Sequence, residues 1–190
     1  MRCAICEQWS FFALCSSCRA TLLSPSIKTR TLASGLQVTS FFPYTEIQHL
    51  LTTKHTLLGH PIYRWLAQET FKPLGKAFVS TEPLVAIPID DHVRYGYSHT
   101  AILAKALTSN ALYPLFNTLR AGNALSYAGQ SLAYRQTHPR DFLYTGPSRT
   151  SVILVDDVVT TGETLRQAQV AIEQKGSHVL QAFVLADASR

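Results

Sequence analysis

The chain has 190 residues, 46% of them apolar and only 15% charged, which excludes intrinsic disorder and suffices for one hydrophobic core plus a small appendage. No apolar run approaches the ~18 residues of a membrane span, and Arg2 and Glu7 interrupt any secretory hydrophobic stretch, so a cytoplasmic protein is expected, with the low charge leaving peripheral contact with the inner membrane open. The net charge of +5 is uneven, with four basic against one acidic group in residues 1–35, six against three in 84–150, and three against five in 151–190; a basic excess suits phosphates or nucleic acid, and equally suits plain solubility.

Cys3, Cys6, Cys15 and Cys18 form two C-x2-C pairs separated by eight residues. Each such turn aims two thiolates at one point, and two turns build the tetrahedral S4 cage of structural Zn2+. A metal would also explain how residues 1–22 fold without a core of their own. Redox-active or uncomplexed thiols are the alternatives. Trp9, Phe11 and Phe12 read first as the minimal core of this module and second as a surface for base stacking. Residues 23–35 are rich in Ser, Pro and Thr, carry Lys28 and Arg30, and read as a linker to a domain over 36–190.

Within that domain the patterning predicts a strand over 36–41 and a helix over 46–58. A second helix follows Pro61. An apolar strand covers 84–88, and a helix over 99–107 opens at Ser98, a good N-cap. Residues 112–116 read as a strand. Residues 117–150 read as a long irregular loop, the usual form of a functional lid. A buried strand over 151–155, a helix over 163–175 stopped by Gly176 and a strand over 178–186 complete the chain. Strands alternating with helices predict an α/β fold, a parallel sheet flanked by helices. His49, His55 and His60 are too irregularly spaced for a second metal site. His92 and His99 flank the segment 94–98 and merit testing.

The segment Val155-Asp156-Asp157-Val158-Val159-Thr160-Thr161-Gly162-Glu163-Thr164 is the strongest signal. A buried strand ends in two carboxylates, and a tight Thr-Thr-Gly turn opens a helix. The free N–H groups and positive end of that helix make an anion pocket. Gly162 permits close backbone approach, and Thr160, Thr161 and Thr164 add hydroxyls. The loop lacks the endings of a Walker A or G-x-G-x-x-G motif. Two adjacent acids beside an anion pocket make sense if the ligand is a sugar phosphate whose hydroxyls they accept. The segment resembles the 5-phosphoribosyl-1-pyrophosphate (PRPP) loop of type I phosphoribosyltransferases. That resemblance implies the fold of that family, with Asp156 and Asp157 as the catalytic acids on the ribose hydroxyls. It implies that Val159, Thr160, Thr161, Gly162, Glu163 and Thr164 hold the 5′-phosphate, and that Mg2+ accompanies PRPP.

Read together, the four-cysteine N-terminus and the C-terminal loop resemble the ComF competence-protein family, the GntX-like group. Further likenesses are Ile47 to Lys54, Val85-Ala86-Ile87-Pro88, and Leu119-Arg120 followed by Gln130, Leu132 and Arg135. The family implies DNA uptake and natural transformation, with single-stranded DNA and competence or recombination proteins as partners. By the same resemblance Lys54, Arg94, Arg120 and Arg135 neutralise the pyrophosphate. The uneven charge makes Arg120, Arg135 and Arg140 candidates for nucleic-acid contact. Where the family commonly has R-G-F-N-Q, this chain has Arg94-Tyr95-Gly96-Tyr97-Ser98-His99. That departure leaves transfer chemistry open. A nucleobase-salvage transferase and an inactive DNA-binding module of the same fold are the competing expectations.

Overall fold

A computed structural model describes residues 1–22, 24–89, 96–122 and 141–189. In chain order its elements are α1 (Ser16–Leu22), β1 (Lys28–Thr31), β2 (Gln37–Pro43), α2 (Tyr44–Leu51), a 3-10 turn (Thr52–His55), α3 (Gly59–Glu69), α4 (Phe71–Ala77), β3 (Leu84–Pro88) and α5 (His99–Ala106). There follow β4 (Leu112–Pro114), β5 (Leu119–Ala121), β6 (Phe142–Tyr144), β7 (Ser151–Val159), α6 (Glu163–Glu173) and β8 (His178–Asp187).

Six strands form one sheet in the order β1-β2-β8-β7-β3-β4. All neighbours pair parallel except β1, which lies antiparallel on β2 at the edge. The central strands β3 and β7 are apolar on both faces, as a sheet covered on both sides requires. One face packs Phe41, Ile153, Val155 and Phe183 against Ile47, Ile62, Leu66, Phe71 and Leu103 of α2 to α5. The other packs Val38, Val85, Leu154 and Val184 against Leu165, Ala168 and Ile172 of α6. Alternate side chains of each strand thus serve opposite cores, the period-two consequence of the pleat.

The connection β3-α5-β4 moves outward on one face, and β7-α6-β8 moves the other way on the opposite face. Crossovers of one hand must switch faces when they switch direction. The switch lies between β3 and β7, and the crevice beyond their C-terminal ends is where open α/β sheets take ligands. The expected sheet flanked by helices is therefore present.

Several local readings change. Residues 28–31, read as linker, form strand β1, because Lys28-Thr29-Arg30-Thr31 pairs in register with residues 37–40 of β2. The helix expected over 46–58 ends at Leu51. There the Thr52 and Thr53 hydroxyls donate to the carbonyls of His49 (2.9 Å) and Leu50 (2.5 Å), and the chain tightens into the 3-10 turn. Helix α4 was not anticipated. The loop expected over 117–150 holds an antiparallel pair, β5 with β6, and its residues 123–140 lie outside the described residues.

The four-cysteine module joins the first core through Cys3, Ala13, Leu14 and Cys18. Its aromatics do not form that core: Trp9 is 83%, Phe11 98% and Phe12 62% exposed. The small side chains and sulfurs of the module are what packs inward, so the rings point outward, with the Arg19 guanidinium 4.9 Å over the Phe12 ring. No helix among the described residues is long and apolar enough to cross a membrane.

Candidate functional site

Strand β7 carries Asp156 and Asp157 to the switch point. Successive residues of a strand face opposite ways, and the two acids have different surroundings. Asp157 is buried, and its Oδ2 accepts from Lys54 Nζ at 2.8 Å and from Tyr63 Oη at 3.1 Å. His99 Nε2 lies 3.5 Å from the same oxygen. Burial alone would raise the Asp157 pKa. The Lys54 ammonium, the positive charge of His99 and the donated hydrogen bonds outweigh it and hold the carboxyl well below the usual range. Tyr63 is pushed the other way, by burial first and by the Asp157 charge second, so it remains a proton donor. Asp156 is only partly buried, and its Oδ1 accepts from the Asp157 N–H at 2.8 Å. The pair is thus divided: Asp157 is the buried anchor of Lys54, and Asp156 stands at the rim.

The turn that follows is braced from beneath. Gly162 has φ +81° and precedes the first turn of α6. Glu163 N–H meets Thr161 Oγ1 at 3.4 Å. The first N–H groups of a helix have no intrahelical acceptor, so this turn presents donors to an anion. Glu163 does not offer its carboxylate. That group accepts from Arg166 at 2.7 and 2.9 Å and from Gln167 at 2.8 Å, and Arg166 holds its pKa low. Val159 is likewise a core side chain whose carbonyl accepts from Ala188 N–H at 2.8 Å.

Strand β1 supplies a support that the sequence reading missed. Arg30 Nε donates to Asp187 Oδ2 at 2.6 Å, and its Nη2 donates to the Thr160 carbonyl at 2.7 Å. Leu32 packs under Gly162, where an added Cβ would lie 2.5 Å from Leu32 Cδ1. Replacing Gly162 with alanine should therefore lower stability by about 1–2 kcal/mol, the penalty of a side chain in the left-handed region. A urea midpoint unchanged from wild type would contradict that.

Of the basic candidates, Lys54 is brought to the acidic pair. Arg120 is exposed on β5, and among the described residues no hydrogen bond or ion pair joins it to Asp156 or Asp157. Arg94, Arg135 and Arg140 lie outside the described residues, as does His92. Tyr63 was invisible in the sequence because an aromatic on the inner face of a helix reads as core. Only its hydroxyl distinguishes it, and the partner is 94 residues away.

At the N-terminus the four sulfurs lie within 4.8 Å of one another, with Cys6 and Cys15 Sγ 3.7 Å apart. Bonds of ~2.3 Å to a tetrahedral ion give an edge of ~3.8 Å, so the cluster can hold a metal such as zinc. All four cysteines are free of disulfides. Burial would raise the Cys3 pKa, but N–H donors, that of Cys15 at 3.3 Å foremost, lower it to about 6. Burial and the neighbouring sulfurs push Cys18 up to about 12.

No family model and no curated protein matches the sequence. Among solved structures, the chain is similar to a hypoxanthine phosphoribosyltransferase from Staphylococcus aureus, at 15% identity and TM-score 0.40, over 66% of this chain. The match spans 62% of that enzyme's chain, less than two thirds. It is also similar to an adenine phosphoribosyltransferase, at 15% identity and TM-score 0.42, over 85% of each chain. Overlaps this low reach only the coarse arrangement of elements, and the function has to come from the chain's own side chains.

Proposed function

We propose that the chain binds PRPP with Mg2+ in the crevice between β3 and β7. The observation that carries this reading is the division of the acidic pair above a braced glycine turn. A sugar phosphate needs an anion cradle and a hydroxyl acceptor a few ångströms apart, and residues 156–164 supply both. The 5′-phosphate takes the backbone donors of Thr160 to Thr164, and the ribose hydroxyls donate to Asp156. Asp157 keeps Lys54 at the rim, where its ammonium can meet the diphosphate. Mg2+ entering with the ligand would supply further neutralisation of the diphosphate, beside the Lys54 ammonium that the protein provides. The four cysteines hold a structural Zn2+. PRPP with Mg2+ should raise the unfolding temperature in a concentration-dependent way. No rise at millimolar PRPP would overturn the reading.

The finer reading is a ComF-like role on single-stranded DNA in the cytoplasm or at the inner membrane surface. It is supported by the joining of the two motifs in one chain and by the exposed Trp9, Phe11 and Phe12, the last with Arg19 over its ring. Neutralising Arg120, Arg135 and Arg140 together should flatten the slope of log K against log salt by up to about 2, at ~0.7 per phosphate contact. Salt-insensitive binding would contradict it. Turnover of PRPP with a free nucleobase would favour the salvage transferase instead.

A further inference from the structure

Tyr97 and His99, at the start of α5, reach both halves of the Lys54–Asp157 pair. From one end, Tyr97 Oη lies 2.8 Å from the Lys54 carbonyl and 3.3 Å from the Thr56 carbonyl. From the other, His99 at the start of α5 sits against the Asp157 carboxylate. Between them Ser98 caps α5, its Oγ accepting from Ala101 N–H at 3.1 Å, so the spacing of Tyr97 and His99 is fixed by a helix start. The Tyr97 hydroxyl occupies the space a Cβ would need at Gly59, and the same Cβ would strike the Thr53 carbonyl. The ring stands edge-on to His60, with centroids 5.5 Å apart. The 3-10 turn that carries Lys54 is short, and none of its residues is buried. The Thr52 and Thr53 hydroxyls tie it back to α2. The Tyr97 hydroxyl ties it to the start of α5, donating to the Lys54 carbonyl, with the Thr56 carbonyl just past the turn.

We propose that Tyr97 is a positioning residue for Lys54, fixing the turn from which the ammonium is presented to Asp157 and to the diphosphate of the ligand. The inference rests on the reading of the crevice as a PRPP pocket. Tyr97 touches the backbone of Lys54, so it acts through the lysine rather than on the ligand. Its effect on affinity should therefore vanish when the lysine is absent, whereas a general loosening of the fold would persist.

The test is a double-mutant cycle of Tyr97→Phe and Lys54→Ala, read by calorimetric titration with PRPP and Mg2+. Phenylalanine keeps the ring against His60 and removes only the hydroxyl. Tyr97→Phe should weaken binding roughly 3- to 10-fold, as loss of a net hydrogen bond implies. In the Lys54→Ala background it should cost nothing further. Unchanged affinity in Tyr97→Phe, or a loss that adds fully to that of Lys54→Ala, would overturn the proposal. A second readout needs no ligand. Acetylation of Lys54, followed by mass spectrometry, should be several-fold faster in Tyr97→Phe than in wild type, with the other lysines unchanged. Equal rates would also overturn it. A wild type that binds no PRPP removes the ligand reading, and the acetylation rates then decide the role of Tyr97 alone.

Discussion

Replacing Asp157 with alanine should destabilise the protein by about 3 kcal/mol at pH 7, the low end for removing one partner of a buried ion pair. The low end applies because the Lys54 side chain is 25% exposed and can recover some hydration. The loss has two sources: the Lys54 ammonium and the Tyr63 hydroxyl both lose their acceptor. The pH dependence has a definite sign. The Asp157 carboxyl is held below its ordinary value, so its stabilisation is complete above about pH 4 and is lost as pH falls through the folded-state value. Urea denaturation of wild type and variant should therefore differ most near neutrality and converge in acid. Equal stability at pH 7 would mean that the cluster around Asp157 contributes nothing.

Removing the metal should have the larger local effect. Structural zinc contributes about 10–16 kcal/mol to small cysteine modules. Purified protein should hold about one zinc per chain. After chelation, or in Cys3→Ser, amides of residues 1–22 should lose hydrogen-exchange protection, while β7 and β8 keep theirs. At neutral pH, loading releases protons, that of Cys18 among them, because its pKa is pushed up to about 12. Affinity should therefore rise with pH. A native disulfide within the set, or unaltered exchange after chelation, would contradict the assignment.

What could be read from the sequence follows from the reach of each signal. Strands β3, β7 and β8 announce themselves as short apolar runs, and α5 and α6 by an N-cap serine and a C-terminal glycine. The loop was legible because a strand, two acids, a Gly turn and a helix are contiguous. Lys54 entered only through family resemblance, and its partner Asp157 lies 103 residues away. Strand β1 was hidden because it sits among Ser and Pro, although Lys28-Thr29-Arg30-Thr31 alternates as an exposed edge strand would. Its Arg30 then acquires a role, bracing Thr160, that no local pattern encodes. The exposure of Trp9, Phe11 and Phe12 was unreadable for a different reason. Aromatics in a small module belong to its core only if the loop has enough residues to cover them, and a metal removes that requirement.

Asp156 and the Gly162 turn should bind one phosphoribosyl ligand between them. Calorimetric titration with PRPP and Mg2+ of wild type and Asp156→Ala tests this, because Asp156 is the less buried of the two acids. Wild type should bind saturably at one site per chain. The variant should bind about 10- to 150-fold more weakly, as removal of a charge-assisted hydrogen bond of roughly 1.5–3 kcal/mol requires. Absence of binding in the wild type, or equal affinity in the two proteins, would contradict it.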